Sequence, residues 1–252
     1  MKTPLIIGNW KMNLLSSEAA NLAKEIQDFS QNIQNVKVIL APPFTSLHSV
    51  KQILLNSNVG LACQNFYFKD KGAYTGEISI QMIKDAGCQY AIIGHSERRK
   101  LFNESNEIIN KKIDCAVNND ISVILCVGEN QEQRNKGKTF EIIEAQVLQA
   151  LINISTKELE NICIAYEPVW AIGTGINASV KQVEEAHGFI RKIIKRIVDD
   201  KKFYFNILYG GSVDSQNCKD FLFCKEVDGV LIGGASLDIN SFCDIISTAS
   251  TI

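Results

Sequence analysis

Eight times along 252 residues, a short run of β-branched and aliphatic residues gives way to a longer amphipathic stretch. The runs are Leu5–Gly8, Val36–Leu40, Val59–Cys63, Tyr90–Ile93, Ser122–Val127, Ile162–Tyr166, Phe205–Tyr209 and Val230–Ile232. Continuous apolar runs, rather than alternating ones, mark strands buried on both faces, which is the condition of a parallel sheet covered by helices. The intervening stretches carry the helical period: Ala19, Leu22, Ala23, Ile26 and Phe29 share a face, as do Val183, Ala186, Ile190, Ile193, Ile194 and Ile197. Ser16 or Ser17 is a suitable cap for the first of these helices. Eight such units in this length predict an α/β fold, a (β/α)8 barrel forming a single domain over residues 1–252. A doubly wound open sheet is the alternative.

Composition narrows the function. With 46% hydrophobic residues the chain can bury a substantial core, and no linker, charge block or low-complexity segment divides it. A net charge of −2 argues against nucleic acid or an anionic membrane as partner, both of which need a strongly basic face. It leaves room for a small anion held locally. The eight cysteines form no C-x-x-C pair and no zinc-ligand spacing, and several lie in apolar runs. They read as reduced core residues of a cytoplasmic protein. The apolar run after Lys2 stops at Gly8, too short for a signal-peptide core, and no run reaches membrane-spanning length. Sequons at Asn103, Asn153 and Asn177 read as chance matches.

A barrel makes a demand on the sequence: functional groups should follow strand ends, because barrel sites lie at the C-terminal mouth. Asn9 and Lys11 follow the first run, Gln64 and Asn65 the third, His95 the fourth, Glu129 the fifth and Glu167 the sixth. Gly210, Gly211 and Ser212 follow the seventh run, and Gly233 and Gly234 the eighth. Glu167 alone reads either as a strand-end carboxylate in an ion pair or as a general base whose pKa rises through desolvation. The neighbouring Trp170 and glycine-rich loop favour the base. His95, at a strand-to-helix junction, reads as a structural histidine or as a neutral hydrogen-bond donor, since a helix N-terminus disfavours imidazolium. Lys11 is a solvated lysine or a cation facing an anionic substrate, and Asn9 a turn residue or an orienting donor. Gly173, Ser212, Gly233 and Gly234 are turn punctuation or a phosphate cradle. His48 and His187 lie in helix-like segments and are assigned no role.

Gly173 to Ala178 matches G-x-G-x-x-A, the dinucleotide fingerprint, but that pattern should open a helix directly after a strand. Six residues, Pro168 among them, separate it from Tyr166, so the match is set aside. With no P-loop, H-E-x-x-H or calcium-loop pattern, the expectation is a reaction with no cofactor and no metal.

GNWKMN from Gly8, GHSERR from Gly94, CVGE from Cys126, AYEPVWAIGTG from Ala165, YGGSV from Tyr209 and GGASL from Gly233 occur in one order and spacing. In this set the chain resembles the triosephosphate isomerase family from Gly8 to Leu237. The resemblance implies a TIM barrel that interconverts dihydroxyacetone phosphate and D-glyceraldehyde 3-phosphate. It implies Glu167 as the proton shuttle, His95 as the electrophile, Lys11 as the cation, Asn9 in local geometry and Glu97 in support of Lys11. It places phosphate on Gly173, Ser212, Gly233 and Gly234, and a lid over Val169 to Gly175 hinged at Pro168. It further implies a homodimer in which the 64–77 loop brings Thr75 near the partner's site. The family pattern is departed from at two places. Ile176 and Asn177 stand where lysine and threonine are common, at the second lid hinge, and Tyr74 stands where phenylalanine is common. The competing readings are a phosphate-binding barrel acting on a larger sugar phosphate and a non-catalytic protein that keeps the fold.

Overall fold

The computed structural model describes residues 3–173, 177–198 and 203–252. Eight parallel strands close on themselves in sequence order: β1 (Leu5–Asn9), β2 (Lys37–Ala41), β3 (Gly60–Cys63), β4 (Tyr90–Ile93), β5 (Ser122–Val127), β6 (Ile162–Tyr166), β7 (Ile207–Tyr209) and β8 (Gly229–Ile232). Closure is made by β1, which pairs with β2 through Leu5↔Lys37 and with β8 through Leu5↔Gly229. The expected (β/α)8 barrel is therefore the fold, and the open sheet is not. All eight expected strands occur, with ends displaced by a residue or two. The seventh starts at Ile207 rather than Phe205, because pairing with β6 begins at Ile164↔Ile207.

Each strand divides its side chains between two apolar layers. Ile7, Ile39, Ala62, Ile92, Ile124, Ala165, Leu208 and Leu231 fill the barrel interior. Their neighbours along the strands, such as Val123, Leu125, Ile164 and Tyr166, pack outward against the helices. Successive strand side chains point to opposite faces, so the inward series Cys163, Ala165 continues to residue 167. The inward Ile7 likewise leads to Asn9, Leu208 to Gly210 and Leu231 to Gly233. The alternation that builds the core also delivers these positions to the barrel mouth.

Two helix expectations are corrected. The helix Ser16–Ser30 begins after Leu15, whose N–H donates to Glu18 Oε2 at 2.7 Å. Ser16 does not cap it; its hydroxyl bonds to Ser49 at 2.8 Å. Phe29, expected on the buried face, is exposed, while Ala19, Leu22, Ala23 and Ile26 are buried. The helix Val180–Ile197 buries Val183, Ala186, Ile190, Ile193 and Ile194, and its Ile197 is half-buried. It is capped by Ser179, whose hydroxyl accepts from the N–H of Gln182 at 3.3 Å. All eight cysteines are free, and five of them are buried. Among the described residues no helix is long and apolar enough to cross a membrane.

Candidate active site

Glu167 continues the β5–β6 ladder beyond the strand, its N–H donating to Val127 O at 2.8 Å. Two glycines make room for it. A Cβ on Gly128 would fall 1.8 Å from the Glu167 carbonyl oxygen, and one on Gly210 would fall 3.0 Å from its Cγ. The carboxylate is 2% exposed. Its Oε1 lies 3.0 Å from His95 Nε2, and its Oε2 accepts the Ser96 N–H at 2.8 Å. Burial pushes the Glu167 pKa up, but His95 and the hydrogen bonds from Ser96 pull it down further, so the net direction is downward. The sequence expectation of a raised pKa is thus not met in this arrangement, because the carboxylate is docked on donors.

His95 is the residue before the helix Ser96–Leu101. Its Nδ1 accepts the Glu97 N–H at 3.2 Å. A ring nitrogen that accepts carries no proton, so the neutral ring holds its proton on Nε2, facing Glu167. Burial acts against the imidazolium, yet the Glu167 charge, with a lesser contribution from Glu97, moves the pKa upward overall. The tautomer is the one expected of a neutral donor. The upward direction belongs to the Glu167 contact and depends on that carboxylate staying in place.

Lys11 adopts a positive φ of 54°. The strained turn is tied down by Gln64, whose Nε2 donates to Lys11 O and to Ala41 O, each at 2.8 Å. The Asn9 side chain accepts the Lys11 N–H at 3.2 Å. The ammonium reaches Glu97 Oε1 at 2.5 Å.

A cavity of about 350 Å3 opens over these groups. Glu167, His95, Lys11 and Asn9 line it, with Gly173, Ser212, Gly233 and Gly234 also on its wall. A Cβ on Gly234 would meet nothing within 4 Å, so its backbone lies open to the space. The Ser212 hydroxyl donates to Ala171 O at 3.2 Å. Thr75 does not line the cavity; it stands exposed on its own loop. Of the expected lid and its second hinge, Val169 to Gly173 are described, while Thr174, Gly175 and Ile176 lie outside the described residues, and Asn177 is exposed. Two larger hollows lie elsewhere, of about 600 Å3 beside Phe203 to Phe205 and about 650 Å3 beside Trp170. Neither brings an acid, an imidazole and a lysine together. Among the described residues no group of His, Cys, Asp and Glu could hold a metal ion.

Sequence reasoning marked Glu129 only as a strand-end residue. It is fully buried and accepts from Tyr166 OH at 3.1 Å, Trp170 Nε1 at 2.9 Å and Arg134 Nη1 at 3.0 Å. Arg134 also stacks 4.3 Å over the Trp170 ring. Glu129 therefore anchors the start of the loop that follows β6. Glu104 and Lys112, paired in the interior, were missed altogether. Lys112 also donates to Asn65 at 2.7 Å, and Arg98 Nε to Glu104 at 3.1 Å. Burial pushes Glu104 up, but Lys112 and Arg98 bring it below the usual carboxylate value. Burial dominates for Lys112 and lowers it despite Glu104. A signal was present: Lys112 sits on the apolar stripe of Ile109, Ile113 and Ala116, where an unpaired lysine is not tolerated.

A (β/α)8 barrel with this mouth defines an enzyme of the acid–base class, built to take a small molecule. The family model described as Triosephosphate isomerase matches residues 4–249, and the chain belongs to the triosephosphate isomerase family. It is 43% identical over 247 residues to the triosephosphate isomerase of Geotalea uraniireducens (strain Rf4), covering 98% of both chains. It is 44% identical over 246 residues to that of Endomicrobium trichonymphae, again with 98% of each covered. With the enzyme of Dictyoglomus thermophilum it shares 45% identity over 249 residues, 98% of this chain and 100% of the other.

Proposed function

We propose that this chain interconverts dihydroxyacetone phosphate and D-glyceraldehyde 3-phosphate in glycolysis and gluconeogenesis, through an enediolate. The observation that carries the reading is the 3.0 Å contact between Glu167 and His95 on the wall of a small cavity that also holds Lys11. Glu167 removes a proton from the carbon next to the substrate carbonyl and returns it to the neighbouring carbon. His95 donates its Nε2 proton in a hydrogen bond to the oxygen on which charge develops, and Lys11 supplies positive charge beside it. Asn9 holds the Lys11 backbone in place.

Substrate entry accounts for the basicity that the Glu167–His95 contact suppresses. A carbonyl that takes the His95 hydrogen bond displaces the Glu167 carboxylate from it. Loss of the His95 contribution lets burial move the pKa of the base upward from its depressed position. The phosphate rests on Ser212 and on the backbone of Gly173, Gly233 and Gly234. Closure of the loop from Val169 over the cavity keeps water from the enediolate, which otherwise expels phosphate.

The same reading includes a cytoplasmic homodimer. Met12 is 94% exposed and Phe102 65%, both lining a cavity of about 150 Å3 that also touches Lys11, His95 and Glu97. Apolar side chains displayed beside a catalytic lysine suit a protein surface that covers them. The partner's 64–77 loop, with Thr75 near its tip, is the element suited to fill that space. Eight free cysteines suit a reducing compartment. A coupled assay with glyceraldehyde 3-phosphate as substrate tests the activity directly. Turnover is expected, and its absence in folded protein overturns the reading.

A further inference from the structure

The segment after β5 packs against Glu167 and holds Glu129, and its backbone has an unusual partner. Val127 O and Glu129 O both face β6, accepting from Glu167 N and Val169 N at 2.8 and 3.1 Å. By the alternation of a parallel ladder, the N–H and C=O of Gly128 face the other way, toward β4. β4 has already ended at Ile93 and turned into the helix Ser96–Leu101, so no strand is there to receive them. The side chain of Gln146, on the helix Thr139–Ala150, takes the place of that strand. Its Oε1 accepts the Gly128 N–H at 2.7 Å, and its Nε2 donates to Gly128 O at 3.2 Å.

Gly128 is also the surface against which Glu167 rests, since the site of its missing Cβ lies 1.8 Å from the Glu167 carbonyl oxygen. The next residue, Glu129, holds Trp170. A shift of Gly128 would therefore move the base and the lid anchor at once. We infer that Gln146 is a positioning residue for the reaction: its amide holds both backbone groups of Gly128 and so sets the reach of the Glu167 carboxylate. The inference rests on the reading of Glu167 as the base. Gln146 touches no part of the substrate cavity, so its effect must travel through Gly128.

The test is Gln146→Met, close in shape but unable to bond to either backbone group. The kcat for glyceraldehyde 3-phosphate is expected to fall by roughly 10-fold, with KM changed by less than about twofold, because the phosphate groups lie on other loops. The His95 ring signal in a 15N-edited NMR spectrum is expected to move, since it reports the Glu167 contact without need of turnover. Gln146→Glu keeps the acceptor for Gly128 N–H but sets a carboxylate oxygen against Gly128 O. It should also lose kcat, and it serves if the methionine variant does not fold. Wild-type kcat together with an unmoved His95 signal in a folded variant would overturn the inference. A parent protein without turnover would instead overturn the proposed function, while the His95 signal would still decide the role of Gln146.

Discussion

Oε1 of Glu167 and Nε2 of His95 meet at 3.0 Å in a site where both side chains are nearly sealed from solvent. In the proposed reaction the carboxylate stands where a carbonyl oxygen would receive the His95 proton, and the imidazole partly quenches the charge that would attack a C–H bond. The proposed reaction requires substrate to break this contact.

Shortening the base tests how closely that geometry is set. Glu167→Asp withdraws the carboxylate by one methylene and should lower kcat on the order of 10²-fold in the coupled assay. Near-normal turnover would remove Glu167 as the base.

Crowding the base from the other side gives a milder outcome. In Gly210→Ala the new methyl lies 3.0 Å from Glu167 Cγ and 3.3 Å from Tyr166 O, tighter than ordinary contact. We expect about 1 kcal/mol of lost stability in urea unfolding and a kcat reduced by roughly 10-fold. Unchanged kinetics would show that the carboxylate adjusts freely.

The buried carboxylates set the acid limit of stability. Glu104 and Glu167 both have pKa values below the ordinary carboxylate range in the folded chain. Their stabilisation is therefore complete above the unfolded value of about 4.3 and is lost as pH falls through the depressed folded value. Urea unfolding should show little change from these groups between about pH 7 and 5 and a decline below about pH 4. Glu104→Gln leaves Lys112 charged and buried, and should cost about 3–5 kcal/mol at neutral pH. Parental stability in that variant would mean that the ion pair is not needed.

Met12→Glu places a charge in the apolar surface proposed to meet a second subunit. Sedimentation should show a monomer, with kcat at least about 10-fold lower because the neighbouring Lys11 loses the surface that supports it. A monomer with full activity would separate catalysis from dimerisation.

The strand-end residues were legible because two periods coincide in this fold. A period of two along a buried strand defines an inward series, and the barrel ends that series at the mouth, as with Ala165 leading to Glu167. Glu129 and Gln146 were less legible for the opposite reason. Their roles are set by distance in space, Gln146 reaching across 18 residues to Gly128 and Glu129 across 41 to Trp170. The local pattern around Gln146 is that of an ordinary helix. The downward shift of Glu167 was also hidden, since it depends on where the carboxylate turns rather than on how deeply it is buried.

Pairing of β1 with β8 has a consequence for how this protein can meet others. A closed ring of strands offers no free backbone edge, so a second chain cannot extend the sheet and in-register aggregation has no template. Association must be made by side chains on the loops and helices. Substitutions there, as at Met12 or Phe102, would alter the proposed dimer without touching the hydrogen-bond ladder of the barrel.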